Sequence, residues 1–564
     1  MGSKIKLTHW IKGDKVSKDV PEANFLLSNK KGGYLYLAPK PTSRHQGFFV
    51  NEDFRMFKLL ESIRLPLELT GVANKFSSVL REYGKKTYEE FTLPTGFNSF
   101  IYEIAEYNGQ IGIDLDCREA SDNDDWGRFY NIIIERDRII VNYEKQSSYR
   151  LYLVITGKNL KAEKVKDWKK VEYSLDQNRN SEHNANIFSA INLIVSENTK
   201  LVFSASTDKE AAIREGDYVF RNVNKLKRKQ LNSLIYKYIP GSKDRRLAYN
   251  ASLNSLNSLI VDVNNYHGMI AGLPWLFQFW SRDELLSLNA MPKKEAAEIL
   301  TRYLGLIQEN GLIPARYPHL SHGAIDSVGW LYLRLNSKEK LELVLNALKD
   351  KHENPEGFVV NKPNETWMNT IERAGVRLEM QCFKLFMLNV LGDVQSEIEL
   401  KDRMRKEFWN GKILADGLNE FSIRPNVFLA YYIYPELLSE KEWKTCFKNA
   451  LNSLWNSWGG ISTLDRKSKL FFEESSGENS RSHHSGDSWF FMNNIAGYCM
   501  FKLDRKSFKK YVDKVLDAST NEILWQGING HHAELSSSSK LSSEGCLCKA
   551  SSSAMFVELV ESLK

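Results

Sequence analysis

Two spacings of apolar residues divide the chain. Up to about residue 206, short runs rich in β-branched and aromatic residues alternate with turns, as in "GGYLYLA", "FYNIIIERDRIIVNYE", "YRLYLVITG" and "LVFSAS". Runs of this length and composition predict strands, and their succession predicts an antiparallel sandwich. From about residue 208 the spacing turns helical. In "KKEAAEILTRYLGLIQENG", Ala296, Ile299, Leu300, Tyr303, Leu304 and Ile307 follow the i, i+3, i+4, i+7 rule, and Gly311 closes the segment. The same pattern predicts helices near 244–264, 337–350, 376–392, 439–456, 488–502, 505–517 and 551–563. Shorter ones are expected at 282–290, 325–335, 396–408 and 425–433. The loops between them carry Trp, Asn, His and Gly. A closed helical toroid with one functional face and a helical solenoid both fit such a list. No repeat of solenoid length is present, which argues against the second. The expected division is a β-sandwich domain over 1–207, a helical linker over 208–243 and a helical domain over 244–564.

Composition narrows the class. A chain of 564 residues is too long for one compact core. Its charges, 77 Lys and Arg against 70 Asp and Glu, give +7 spread without a long basic run. The cluster "KLKRK" (225–229) therefore reads as a solvated helix face, and no nucleic-acid partner is expected. No apolar run is long enough to span a membrane and no N-terminal leader is visible, so a cytoplasmic protein is expected. The six cysteines read as reduced thiols in that compartment. Aromatic content of 12%, with 13 Trp, is the more telling figure. It concentrates in "GLPWLFQFWSRDELLSL" (272–288), where Trp275, Phe277, Phe279 and Trp280 surround the adjacent opposite charges Arg282 and Asp283. Charges in such surroundings are paired or contact something polar.

Further blocks follow in a fixed order: "FLLSNKKGGYLYLAPKPTSRHQGFF" (25–49), then "GLIPAR" (311–316), "GAIDSVGWLY" (323–332) and "ETWMNTIERAGVRLEMQ" (365–381). "IRPNVFLAY" (423–431), "GGISTL" (459–464), "HSGDSW" (484–489) and "AELSSSSKLSSEGC" (533–546) complete them. Together with the 271–288 block these resemble microbial, archaeal-type glycogen-debranching proteins. The helical part resembles their amylo-α-1,6-glucosidase domain, an (α/α)6 barrel akin to glucoamylase. The resemblance implies an antiparallel β-sandwich followed by an all-α (α/α)6 toroid of the six-hairpin glycosidase type. The transferase domain of eukaryotic debranching enzymes has no room here. The implied activity is release of glucose from α-1,6 branch points of a glycogen-like glucan, by inversion and without a cofactor. A glucoamylase- or trehalase-like α-glucosidase is the alternative.

The resemblance also implies residue roles. Trp280, Arg282 and Asp283 would contact the terminal glucose. A carboxylate accepts from two hydroxyls, a guanidinium donates in a fixed fork, and aromatic faces pack against the pyranose. Trp330, Trp367, Arg373, Glu379, His484 and Trp489 are further candidate substrate residues, with a structural ion pair as the other reading of Arg373 and Glu379. Inversion needs a carboxylic acid and a carboxylate base flanking the scissile bond. Glu534 is the implied base, with Glu544 as fallback. The family's acid lies in "T-W-M-D", but here the motif ends in Asn369. An amide has no titratable proton to give. Glu365, Glu372 and Asp326 are the carboxyls that could substitute, Asp326 being equally a substrate-positioning residue or a helix N-cap. A catalytically impaired glucan-binding protein is therefore a second class of reading. His531 and His532 lack a third ligand at metal-site spacing, so no metal is expected.

Overall fold

The computed structural model describes residues 4–84, 86–318 and 323–564. They form two compact units, one running to His267 with Ile528–Gly530, the other Gly268–Gly527 with His531–Lys564.

The first unit holds two large sheets. One has ten strands, running from Arg128–Ile134 at one edge through Thr199–Ser206 and Ser99–Ala105 to Ile5–Ile11 and Asp14–Val20. The other has seven, from Lys161–Glu172 through Gly109–Glu119 and Arg55–Arg64 to Phe25–Ser28. Phe100 of the first sheet meets Phe48 of the second edge-on (5.0 Å) and stacks on Phe203 of its neighbouring strand (4.6 Å). These rings join the two faces into one core. Pairing is antiparallel as expected, with a departure at Ile5–Ile11, which runs parallel to Leu69–Asn74. The chain between those strands crosses into the other sheet, and so long a connection permits either direction. Helix Lys209–Arg221, capped by Asp208, covers strands Tyr149–Thr156 and Thr199–Ser206. The following helix, Val223–Asn232, buries Val223 and Leu226, and its Lys227 reaches Glu90 (2.6 Å) and Glu103. Helix Lys243–Leu259 packs on the first strands, where Arg246 grips Asp14 through two bonds (2.6 and 2.8 Å). It stops at Leu259 rather than near 264, because the β-branched Ile260 and Val261 enter an extended strand.

The second unit is a ring of helices. Ser281–Ser287, Ile325–Leu335, Leu378–Leu391, Asn426–Ile433, the first part of Phe490–Trp525 and Ala550–Ser562 each pack on the next, and the last packs on the first. These inner helices are buried almost all round; in Ile325–Leu335 every residue from Ile325 to Tyr332 is buried. Between them in sequence lie outer, amphipathic helices such as Glu440–Leu454, which buries Trp443, Cys446, Phe447, Ala450, Leu451 and Leu454 on one stripe. The two helices expected at 488–502 and 505–517 are segments of Phe490–Trp525 joined at Asp504, whose extended backbone breaks the ladder and whose carboxylate caps the second segment.

The N-terminal ends of the inner helices are tied by two-residue strands. Phe279–Trp280 pairs with Arg316–Tyr317, Gly323–Ala324 with Ile313–Pro314, and Gly375–Val376 with Val360–Asn361. Ser488–Trp489 pairs with Leu535–Ser536, and Cys548–Lys549 with Gly272–Leu273. The loops at this end are thereby held in register with one another.

Helices Ile325–Leu335 and Leu378–Leu391 approach closely at Gly329, where an added Cβ would lie 2.3 Å from the Phe383 ring. Gly329→Ala should destabilise the chain by about 1–3 kcal/mol through overpacking. Thermal and urea unfolding would show the loss, and Phe383→Leu in the same chain should recover part of it.

Candidate active site

Several of the residues singled out from the sequence lie at the tied ends of the inner helices. Arg282 and Asp283 stand in the first turn of Ser281–Ser287, Asp326 in the first turn of Ile325–Leu335, and Glu379 in that of Leu378–Leu391. Backbone N–H groups at a helix start have no intrahelical partners and favour negative charge there. Cations from neighbouring segments complete the balance.

The contacts at this end close on themselves. Arg282 Nε and Nη2 donate to Asp326 Oδ2 and Oδ1 (2.6 and 3.1 Å). The Asp326 amide donates to the Glu365 carbonyl (3.4 Å). Beyond Asn369, Thr370 gives its hydroxyl and its amide to His484 Nδ1 (2.6 and 3.3 Å). His484 stacks on Trp489 (5.0 Å between centroids, 12° between planes). Trp489 pairs in register with Leu535, the neighbour of Glu534. Glu534 Oε1 accepts from Lys549 Nζ (3.1 Å), and the same ammonium contacts Asp283 Oδ1 (3.2 Å), next to Arg282. Lys549 was not among the residues expected from the sequence. Nothing in its local sequence sets it apart from the chain's other lysines.

Each charge in this ring is conditioned by its neighbours. Burial alone would push the Glu534 carboxyl up; the Lys549 ammonium and the Cys546 amide donating to Oε2 (3.0 Å) bring it below its ordinary value. Burial works against the charge of Lys549, and the carboxylates of Asp283 and Glu534 overcome it, raising the ammonium's pKa. Burial raises the Asp326 carboxyl, with Arg282 pulling the other way. His484 is fully buried; desolvation first, then His483, Arg424, Arg282 and Arg373, hold its imidazole well below the ordinary range. A backbone N–H can only donate, so Nδ1 of His484 is the acceptor and Nε2 carries the hydrogen.

Arg373 and Glu379 form a buried ion pair. Arg373 is 3% exposed and held between Glu379 and Asp416, with Nη2 to Glu379 Oε2 at 2.9 Å and Nε to Asp416 Oδ2 at 2.9 Å. Asp416, a residue the sequence did not mark, also accepts from Asn426 Nδ2 (2.6 Å), whose Oδ1 receives the Trp367 indole N–H (2.8 Å). Trp367 packs edge-on against His484, Trp489 and Phe491. Trp280 stands apart from that cluster, under the Arg316 guanidinium (5.1 Å). Trp330 is 2% exposed and packs on Phe383 and Tyr432 within the helical core, away from the ring of polar contacts. Asn369 is exposed in the turn before Thr370. Of the carboxyls that could replace its acid, Asp326 is engaged by Arg282, Glu365 Oε2 accepts from the Lys362 amide (2.6 Å), and Glu372 is exposed. Glu544 exchanges backbone bonds with Leu535. His532 is bonded to Glu522 (2.6 Å) and His531 to Cys548 (3.0 Å). All six cysteines are buried thiols, and among the described residues no helix is long and apolar enough to cross a membrane.

The architecture, a β-sandwich followed by a closed ring of helices with others outside it, is that of the glucoamylase (α/α)6 barrel fold. A crystal structure of a bacterial glucoamylase complexed with acarbose matches it with a TM-score of 0.58, covering 97% of this chain and 96% of that one. Identity is 13%, so this likeness is one of fold. Residues 393–558, which include His484, Trp489, Glu534 and Lys549, match the GDE_C family, amylo-alpha-1,6-glucosidase. No curated protein matches the sequence. Family match and fold together support a glycoside hydrolase acting on glucans.

Two measurements probe this electrostatic frame. Glu379→Ala should cost about 3–5 kcal/mol, because it leaves Arg373 buried with one partner fewer; urea unfolding reads the loss. Asp487, fully buried in the "HSGDSW" loop, is pushed up to about 7 by burial, with the Ser482 hydroxyl (2.6 Å) opposing and Glu544 reinforcing. A carboxyl raised on folding stabilises while protonated, so its contribution is full below about pH 4 and is lost as pH rises through about 7. Asp487→Asn should flatten that fall, gaining stability over the native chain at pH 8 relative to pH 5.

Proposed function

We propose that this protein is an inverting glycoside hydrolase that releases glucose from α-1,6 branch points of a glycogen-like glucan. The observation that carries the reading is the Asp283–Lys549–Glu534 bridge beside Arg282. It sets a carboxylate held as an anion next to the pair that the sequence resemblance assigns to the sugar. In this reading Glu534 is the base that activates water, and Arg282, Asp283, Trp280 and His484 hold the terminal glucose. The acarbose-bound relative and the debranching-family match both favour a glucan as substrate. Arg373, Glu379 and Asp416 act through the scaffold, keeping the turn that contains Asn369 beneath His484.

Asn369 shapes what the enzyme can do. Without a proton donor at that position, departure of a sugar alkoxide is slow, while a leaving group that is itself acidic departs unaided. Native protein is therefore expected to be weak on natural glucans and relatively better on activated aryl α-glucosides. The same residue favours a second reading, a glucan-binding protein without turnover. A glucoamylase- or trehalase-like preference is the alternative within the hydrolase class, since linkage choice rests on loops rather than on the fold.

Glucose release from a branched limit dextrin, with the product anomer followed by NMR, tests the proposal. β-Glucose as first product is expected. Asn369→Asp should raise the rate by at least ~10-fold, general-acid catalysis being worth ~10²–10⁴-fold. Absence of turnover on every α-glucoside by both forms would leave binding as the function. If Asn369→Asp changes nothing while Asp326→Asn or Glu372→Gln abolishes a good rate, the acid lies there. Asp283→Asn should weaken glucose or iminosugar binding in calorimetry with little change in Tm; retained affinity with a sharp drop in Tm would make the residue structural.

A further inference from the structure

We propose that Lys549 is a positioning residue of this site: its ammonium fixes Glu534 Oε1 against the sugar-binding carboxylate of Asp283 and couples base to binding pocket. The inference rests on the assignment of Glu534 as base.

Lys549 stands between two carboxylates. Its side chain is 7% exposed, and its two charged partners, Asp283 Oδ1 at 3.2 Å and Glu534 Oε1 at 3.1 Å, belong to elements far apart in sequence. Strand Cys548–Lys549 is clamped on both sides, by pairing with Gly272–Leu273 and by the Lys549 amide donating to the His532 carbonyl (2.8 Å). The ammonium thus emerges from fixed backbone. Glu534 is fixed in turn, its amide bonded to the Cys546 carbonyl (2.8 Å), its carbonyl to the Phe490 amide (3.1 Å) and its Oε2 to the Cys546 amide. Gly545 lets the loop approach, since a Cβ there would sit 2.7 Å from Oε2 and its φ is +64°. Each carboxylate oxygen keeps a second lone pair, so Oε1 can hold Lys549 and still accept from a water.

The arrangement has a chemical consequence. The titratable groups facing Glu534 are Lys549 and Cys546 from the segment before the last helix, His483 from the loop before Trp489, and Asp283 through the shared ammonium. Glu544, farther along the paired strand, acts on Asp487. Lys549 is the nearest and strongest of the cations. It makes Glu534 a weaker base but one that stays ionised into acid solution. Asp283 competes for the same ammonium, so a sugar hydroxyl engaging Asp283 shifts Lys549 toward or away from the base.

The test is a titration of Glu534 by 13C NMR in protein labelled at glutamate Cδ, the resonance being assigned by its loss in Glu534→Gln. In Lys549→Met the Glu534 midpoint should rise by at least about one pH unit, the lower end of what an adjacent opposite charge supplies. In Lys549→Arg it should stay close to native. An unchanged midpoint in folded Lys549→Met overturns the proposal. Should that variant fail to fold, Asp283→Asn reads the bridge from its other end: the ammonium then serves Glu534 alone and the midpoint falls, while an unchanged midpoint overturns the proposal. The acid limb of kcat/KM for α-glucosyl fluoride separates this result from the function itself. If it moves with the NMR midpoint, Lys549 tunes the base. If the midpoint moves and the limb does not, Glu534 is not the base, and both the assignment and the positioning role fall. A chain without turnover fails the hydrolase reading alone, because the NMR midpoints still decide whether the bridge holds Glu534.

Discussion

One ammonium between two carboxylates closes the functional end of the helical unit. Lys549 touches Asp283 at the first inner helix and Glu534 ahead of the last, joining the two ends of a chain of contacts that otherwise runs open. Taking an ion out of water costs several kcal/mol, and only near partners offset it. None of the three groups would be stable at this depth alone. The bridge therefore holds the loops in place for the same reason that the loops can bury it.

The same rule recurs at three of the inner helix starts. Asp283, Asp326 and Glu379 sit in first turns, where free backbone N–H groups favour anions. Each is answered by a cation from another segment: Lys549, Arg282 and Arg373. Two-residue strands before the helices set the register of these meetings, so side chains more than 200 residues apart arrive within hydrogen-bond range. Asn369 lies outside this framework. Its side chain is exposed in a turn.

Much of the architecture was legible in the pattern of apolar residues, because burial on one face or on all faces is written directly into spacing. The β-rich and helical parts, the individual helices from Leu378–Leu391 to Ala550–Ser562, and the exposure of Lys225, Arg228 and Lys229 followed from it, whereas Lys227 turns inward to two glutamates. The parallel pairing of Ile5–Ile11 with Leu69–Asn74 and the strand at Ile260 did not, since each depends on what a segment meets after a long excursion. Among site residues, Arg282, Asp283, Asp326 and Glu534 were marked by motif and do converge. Trp330 carried the same kind of signal yet packs in the core, where an apolar ring is equally at home. Asp416 and Lys549 carried none.

What the sequence by itself determined is the class of each segment and the chemical inventory: strands then helices, acidic first turns, and Asn369 at a position where the family resemblance implies an acid. Periodicity and residue type are local properties, and one segment displays them without reference to another. Only the tertiary structure decided which charges are neighbours. It joined Arg282 to Asp326 rather than to the adjacent Asp283, gave Arg373 both Glu379 and Asp416, and placed Lys549 between Asp283 and Glu534. Ion pairing at depth is a matter of distance in space, and distance in space is set by the closing of the ring.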